Sequence, residues 1–272
     1  MARITIGEFP RILYCEVSTM ISVGYSKLRD STKYKMNFYK TEKAGYFVAS
    51  MMAGIFVGLC MITILVMAGM MDNFAGIKVL QGVSFAAALS LVVFAGAELF
   101  TGNVFVMTAG VVLKEIKVRD AIGLCAYCYL GNLVGSILIA ALFLGTGYLQ
   151  GDVLEAAHYA MNAKTNPMFL ELLVRGILCN VLVCAGVWCI YRLQSETSKL
   201  IMIFWCIYLF VICGFEHSIA NMTLFSLETM AGVSPFVFGQ MMINLGATTT
   251  GNILGGMALS LAYWIIAKKT LE

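Results

Sequence analysis

Gly96-Ala97-Glu98-Leu99-Phe100-Thr101-Gly102-Asn103 is met again 118 residues later as Gly214-Phe215-Glu216-His217-Ser218-Ile219-Ala220-Asn221, and both read G-x-E-x-x-x-[GA]-N. A second pair, Gly131-Asn132-Leu133-Val134-Gly135-Ser136 and Gly251-Asn252-Ile253-Leu254-Gly255-Gly256, recurs at an offset of 120. Two motifs in one order at nearly one offset mark an internal duplication. Each copy of the first motif sets a carboxylate inside an otherwise apolar run, which is costly and normally reflects a partner or a task.

The surroundings of these motifs define their solvent. The 272 residues are 60% hydrophobic and 12% charged, whereas a soluble domain carries about a quarter charged residues. The stretches Ala44 to Met71 and Ala121 to Gln150 contain no charge, and each exceeds the roughly 20 residues that cross a hydrocarbon core. Met168 to Tyr191 carries only Glu171 and Arg175 near its start, and Leu200 to Leu227 carries Glu216 and His217. Val79 to Leu113, as one straight helix, would run about 52 Å against a core of about 30 Å, so it is predicted to break near its middle. Thr229 to Ala267 must hold a loop around Gly232 and Pro235 before a last span. The count is six spans, an all-α membrane protein.

Each half then holds three spans, an odd number, so the second half enters the membrane upside down relative to the first. This is an inverted repeat, in which paired interrupted helices meet near the midplane. The G-x-E-x-x-x-[GA]-N segments are the natural breaks of the second and fifth spans. Freed backbone groups are tolerated there only if buried in protein or lining a cavity. Glu98 and Glu216 are accordingly predicted to support the breaks by capping freed backbone N–H groups. Gly131, Gly135, Gly251 and Gly255 read as close-packing positions between helices.

Positive charge orients the chain. Of 18 Lys and Arg, fifteen fall in residues 1–43, the 2–3 loop, the 4–5 loop and the tail, leaving Lys78 and Lys164 opposite and Arg175 inside a span. By the positive-inside rule both termini are cytoplasmic. Residues 1–43 mix Ile12, Leu13, Val17, Met20 and Ile21 with basic residues, which suggests an amphipathic helix along the inner membrane surface; a solvated tail is the alternative. Residues 44–272 form the membrane domain. No short apolar segment with a cleavage-like flank opens the chain, so no removable secretory signal is expected.

Other classes fall away. A formal charge of +3, scattered along the chain, gives no footprint for nucleic acid. Cys60, Cys125, Cys128, Cys179, Cys184, Cys189, Cys206 and Cys213 lie inside apolar runs and read as small hydrophobes. Cys125 and Cys128 have no second Cys or His pair nearby, so neither metal nor cofactor is expected. No nucleophile with a base, and no soluble domain, argues for an enzyme.

His217, deep in the fifth span, is a functional candidate because an imidazole there can donate a hydrogen bond or relay a proton. Thr101 lies in the equivalent broken segment, where its hydroxyl is able to meet that imidazole. Lys164, almost alone on the outer side, is positioned to draw anions into a vestibule; a lysine snorkelling at a helix end is the plainer reading. Phe85, Leu89, Leu99, Phe100 and Phe210 are core-like by type, or form apolar constrictions that strip water.

At these motifs the chain closely resembles the formate/nitrite transporter family. The residues that carry the resemblance are Ala97-Glu98-Leu99-Phe100-Thr101-Gly102-Asn103, Gly131-Asn132-Leu133-Val134-Gly135, Gly214 to Met222 and Gly251-Asn252, within residues 35 to 268. The resemblance implies an aquaporin-like fold in a lipid bilayer, assembled as a homopentamer with one pore per protomer, in the inner (cytoplasmic) membrane. It assigns the mobile loop to Thr101, its central partner to His217, and the vestibule lysine to Lys164. The pore-lining asparagines map to Asn180 and Asn252, and the constrictions to Leu89, Leu99, Phe100 and Phe210. Glu98 before Leu-Phe-Thr looks more like nitrite and hydrosulfide members than formate members, which usually have Asp there.

A bare anion in a low-dielectric constriction costs many kcal/mol unless donors surround it or its charge is removed. The expectation is that Lys164 and the helix-break dipoles draw the anion in, and that His217 donates a proton or a strong hydrogen bond as the ion reaches the Leu99 and Phe210 constrictions, so that the neutral acid crosses. With an ordinary imidazole pKa of about 6.5, flux should rise as pH falls. The alternative is an aquaporin-like channel for small neutral solutes, but such pores need an Asn-Pro pair in each half and here Asn166-Pro167 occurs once.

Overall fold

In lipid the backbone satisfies its own polar groups within helices, and helices dominate the structure. The computed structural model describes residues 9–71, 74–232 and 235–271, with side chains described from 21 to 267 apart from 72–73 and 233–236. The described helices are α1 (Phe9–Thr41), α2 (Lys43–Met70), α3 (Ile77–Phe85), α4 (Ala87–Phe94), α5 (Phe100–Val112) and α6 (Val118–Gly145). They continue as α7 (Asp152–Thr165), α8 (Phe169–Arg192), α9 (Glu196–Ile212), α10 (Ser218–Met230) and α11 (Pro235–Leu271). Among the described residues, α2, the pair α3 and α4, α6, α8 and most of α11 are long and apolar enough to cross a membrane.

The chain leaves helical geometry between α4 and α5 and between α9 and α10. Both departures turn on a glycine in the left-handed region, Gly96 at φ 74° and Gly214 at φ 68°. Nothing lies within 4 Å of a Cβ built at either position, so backbone conformation rather than space selects glycine there. Each departure is followed by a short helix, α5 and α10, of 13 residues.

Glycines of the second motif pair let helices touch backbone to backbone. A Cβ on Gly135 of α6 would strike the carbonyl of Met51 in α2, and one on Gly251 of α11 would strike the carbonyl of Leu173 in α8. Neither obstacle is the movable end of a side chain. Gly251→Ala is therefore expected to force α11 off α8 and destabilise the protein by roughly 1–3 kcal/mol. A thermal melt in detergent checks this, with Gly239→Ala, where a Cβ meets nothing within 4 Å, as the control.

α1 packs rather than floats. Tyr25 and Leu28 are fully buried, the Tyr25 hydroxyl donates to the Ser260 carbonyl at 2.5 Å, and the Thr32 hydroxyl donates to the Val106 carbonyl at 3.1 Å. Arg29 and Lys33 both pair with Glu115, at 2.8 and 3.1 Å. Of the apolar residues named for this segment, Ile21 is buried; the side chains of Ile12, Leu13, Val17 and Met20, and all of residues 1–8, lie outside the described residues. Trp188 anchors the neighbouring core, stacked on Tyr263 with ring centroids 4.6 Å apart and tilted against Tyr25 at 5.6 Å.

Candidate functional site

The two non-helical loops are held by matching hydrogen bonds. In the first, the Glu98 N–H donates to the Ala49 carbonyl at 3.0 Å. The Asn132 amide donates to the Glu98 carbonyl at 2.9 Å and to the Ser50 carbonyl at 2.7 Å, while its oxygen accepts the Phe100 N–H at 2.9 Å. In the second, the Glu216 N–H donates to the Arg175 carbonyl at 3.3 Å. The Asn252 amide donates to the Glu216 and Gly176 carbonyls at 3.0 and 2.8 Å, and its oxygen accepts the Ser218 N–H at 2.9 Å. Asn132 and Asn252 thus clamp each loop from both sides and cap the helix that follows.

The carboxylates do something else, which corrects the expectation that they cap backbone N–H groups. The Glu98 carboxylate accepts from Lys35 Nζ at 2.6 Å, from the Asn103 amide at 2.9 Å and from the Tyr46 hydroxyl at 3.3 Å. Glu216 accepts from Lys164 Nζ at 3.0 Å and from the Asn221 amide at 2.6 Å. Side chains reach both carboxylates first, because each loop points its Glu at a lysine from the helix that precedes α2 or α8. A buried charge survives when paired and hydrogen-bonded in this way. Lys164 is consequently an ion-paired lysine. The segment before it, between the third and fourth predicted spans, is the helix α7, which turns Lys164 back toward Glu216.

His217 is the residue before α10 and is almost wholly buried. Its Nδ1 accepts the Ala220 N–H at 3.3 Å and its Nε2 lies 3.0 Å from the Thr101 hydroxyl. An Nδ1 that accepts leaves the ring proton of the neutral imidazole on Nε2, so His217 donates to Thr101 Oγ1. That frees the Thr101 hydroxyl proton for another acceptor.

Two cavities meet at His217. A vestibule of about 860 Å³ is lined by Lys164, Arg175, Glu216, His217, Phe85 and Phe210 among others. Beyond it lies a cavity of about 10 Å³ lined by Leu89, Leu99, Val57, Val183 and again Phe85, Phe210 and His217. The last three residues line both cavities and separate them. Phe210 stacks on the His217 ring at 6.0 Å between centroids, and Phe85 meets Phe210 edge-on at 5.9 Å. About 10 Å³ is at the lower limit for a single water molecule, so any solute passes only when these side chains move.

Of the other sequence-assigned residues, Leu89, Leu99 and Phe210 share the small cavity with His217. Phe100 does not line either cavity; its ring packs edge-on against Tyr129 at 4.9 Å. Asn180 and Asn252 are fully buried, and the Asn180 amide donates to the carbonyls of Thr101 and Asn252 at 3.2 and 2.5 Å. They brace the loops from behind. Lys35, Asn132 and Tyr46 were not singled out as site residues; the position of Asn132 in the repeated Gly-Asn pair was the signal available. The other histidine, His158 on α7, pairs with buried Glu228 at 2.7 Å, away from this site. No group of three or more His, Cys, Asp and Glu able to hold a metal occurs among the described residues.

Known proteins resemble this chain in sequence and fold. A family model described as formate/nitrite transporter matches residues 23–265. The nitrite transporter NirC of Salmonella typhimurium is 37% identical over 237 residues, covering 83% of this chain and 84% of the relative. Among solved structures, an FNT family ion channel superposes with a TM-score of 0.83 at 34% identity, over 89% of this chain and 98% of that one. A pentameric formate channel with formate bound superposes with a TM-score of 0.71 at 29% identity, over 83% of this chain and 98% of that one. These relatives are named as transporters and channels, not enzymes, and the neutral-solute alternative draws no support from them.

Proposed function

Since the chain is a multi-pass membrane protein belonging to the formate/nitrite transporter family, we propose that it is a pH-dependent channel for small monovalent anions such as nitrite, formate or hydrosulfide. The observation that carries this reading is the 3.0 Å contact from Thr101 Oγ1 to Nε2 of His217, the histidine that lines both the vestibule and the small cavity. The matching hydrogen bonds of the two loops support six spans in two inverted three-helix repeats, aquaporin-like, with the second and fifth spans broken at Gly96 and Gly214. In this reading α3, α4 and α5 are the second span, and α9 and α10 the fifth. Residues 1–43 form the cytoplasmic N-terminal segment, residues 44–272 the channel domain, and both termini face the cytoplasm of the inner membrane. The protomers assemble as homopentamers, and lipid-facing apolar residues such as Leu142 and Trp205 stay exposed on a single chain.

The proposed path runs from the vestibule to the His217–Thr101 pair. There the Thr101 hydroxyl, oriented by His217 Nε2–H, donates to the arriving anion. Uptake of a vestibule proton at Nδ1, in place of the Ala220 N–H bond, makes His217 an imidazolium that passes its Nε2 proton through Thr101 to the anion, so a neutral acid faces Leu89, Leu99 and Phe210. Removing the charge avoids the cost of carrying it through an apolar constriction. His217 is then reprotonated from the vestibule, the wet side of the ring.

Proteoliposomes holding the purified protein, assayed side by side with nitrite, formate, hydrosulfide, chloride and glycerol, test the reading. The weak-acid anions are expected to enter faster than into protein-free vesicles while glycerol does not. Glycerol entry without anion entry contradicts it.

A further inference from the structure

Arg175 is the one arginine predicted inside a span, and the path described above makes no use of its side chain. Its backbone belongs to the loop clamp, because its carbonyl accepts the Glu216 N–H. The corresponding bond in the first loop is made by Ala49, so the clamp needs no charge, nor any long side chain, at this position. The Arg175 side chain lines the vestibule together with Lys164, Glu216 and His217. Among the described residues its guanidinium has no hydrogen bond and no ion pair. Glu171, one turn before it on α8, accepts the Met168 N–H at 3.0 Å instead. Lys164 and Glu216 offset each other at 3.0 Å. Lys78, Asp152 and Glu155 also line the vestibule but are exposed at its rim, where salt screens them. The half-buried, unpaired cation beside the His217 loop is therefore Arg175.

A guanidinium offers parallel N–H donors in a fixed fork that fits two coplanar oxygens, whereas a lysine acts as a point charge. Formate and nitrite carry two such oxygens; chloride and hydrosulfide do not. We propose that Arg175 captures planar two-oxygen anions on its guanidinium in the outer vestibule and hands them to the His217–Thr101 pair. This rests on the anion-channel reading and adds a substrate preference to it.

The test compares half-saturation concentrations for nitrite and hydrosulfide flux in proteoliposomes, with the elution volume of each variant in detergent as a check on assembly. Arg175→Lys is expected to raise the nitrite value about tenfold while hydrosulfide stays within about twofold, a tenfold change being 1.4 kcal/mol. Arg175→Gln is expected to weaken both anions. An unchanged nitrite value in an assembled Arg175→Lys channel overturns the assignment, as does an equal rise for hydrosulfide. If the wild-type protein carries neither nitrite nor hydrosulfide, the channel reading itself fails and this assignment falls with it, an outcome distinct from an active channel indifferent to Arg175.

Discussion

Exchange of His217 for Asn is expected to cut nitrite and formate flux by about tenfold or more at acid pH, the equivalent of roughly 1.4 kcal/mol on the barrier, and to flatten its pH dependence. Asn keeps a hydrogen-bonding amide able to reach Thr101, so the loop geometry has a substitute donor. What it lacks is a ring that can take up a proton and hand it on. Wild-type flux should climb as pH falls, because more imidazolium forms to supply the proton that neutralises the anion. The Asn variant should keep whatever slope comes from the external weak acid alone. Thr101→Val, which preserves shape and removes the hydroxyl between ring and anion, should resemble it. Parallel pH profiles for wild type and His217→Asn would exclude the proton relay while leaving an anion pore intact.

A second large effect is expected from Lys164→Met. The Lys164 and Glu216 side chains are 19% and 4% exposed and 3.0 Å apart. Deleting the lysine strands a carboxylate that retains only the Asn221 amide at 2.6 Å. Breaking a buried pair from one side costs about 3–5 kcal/mol, chiefly the penalty of the unpaired charge. The single variant should therefore melt well below wild type in detergent and, where it survives, conduct poorly, because a bare carboxylate next to His217 repels anions. Adding Glu216→Gln removes that charge and should recover most of the lost stability. A single variant as stable as wild type would mean that Glu216 takes up a proton or finds another donor.

The sequence carried much of this account because its strongest signals were local. Gly96 and Gly214 could be placed where the chain leaves helical geometry because the runs containing them were too long for one straight helix or held a buried carboxylate. His217 and Thr101 could be paired because the repeat sets them in equivalent loops. Partners set by tertiary packing were harder to see. Lys35 reaches Glu98 across 63 positions from a helix whose basic residues looked like a membrane-surface face. Asn132 and Asn252 took the capping role expected of the glutamates, since a carboxylate facing a lysine has stronger donors than backbone amides. α7 was hidden because 151–165 mixes Asp152, Glu155 and Lys164 with short apolar stretches, a pattern too polar for a span and too short to stand out. Phe100 shares its motif with Leu99 yet points the other way, because the two sit at the start of a helix where neighbouring side chains diverge.

The central claim is that an anion crosses this protein as its neutral acid at the His217–Thr101 contact. It is tested most directly by recording nitrite uptake and lumenal pH together in proteoliposomes whose membrane potential is clamped with potassium and valinomycin. The account predicts that each nitrite enters with one proton and that uptake does not change with the clamped potential. Nitrite uptake that follows the potential and leaves the lumenal pH unmoved would contradict it.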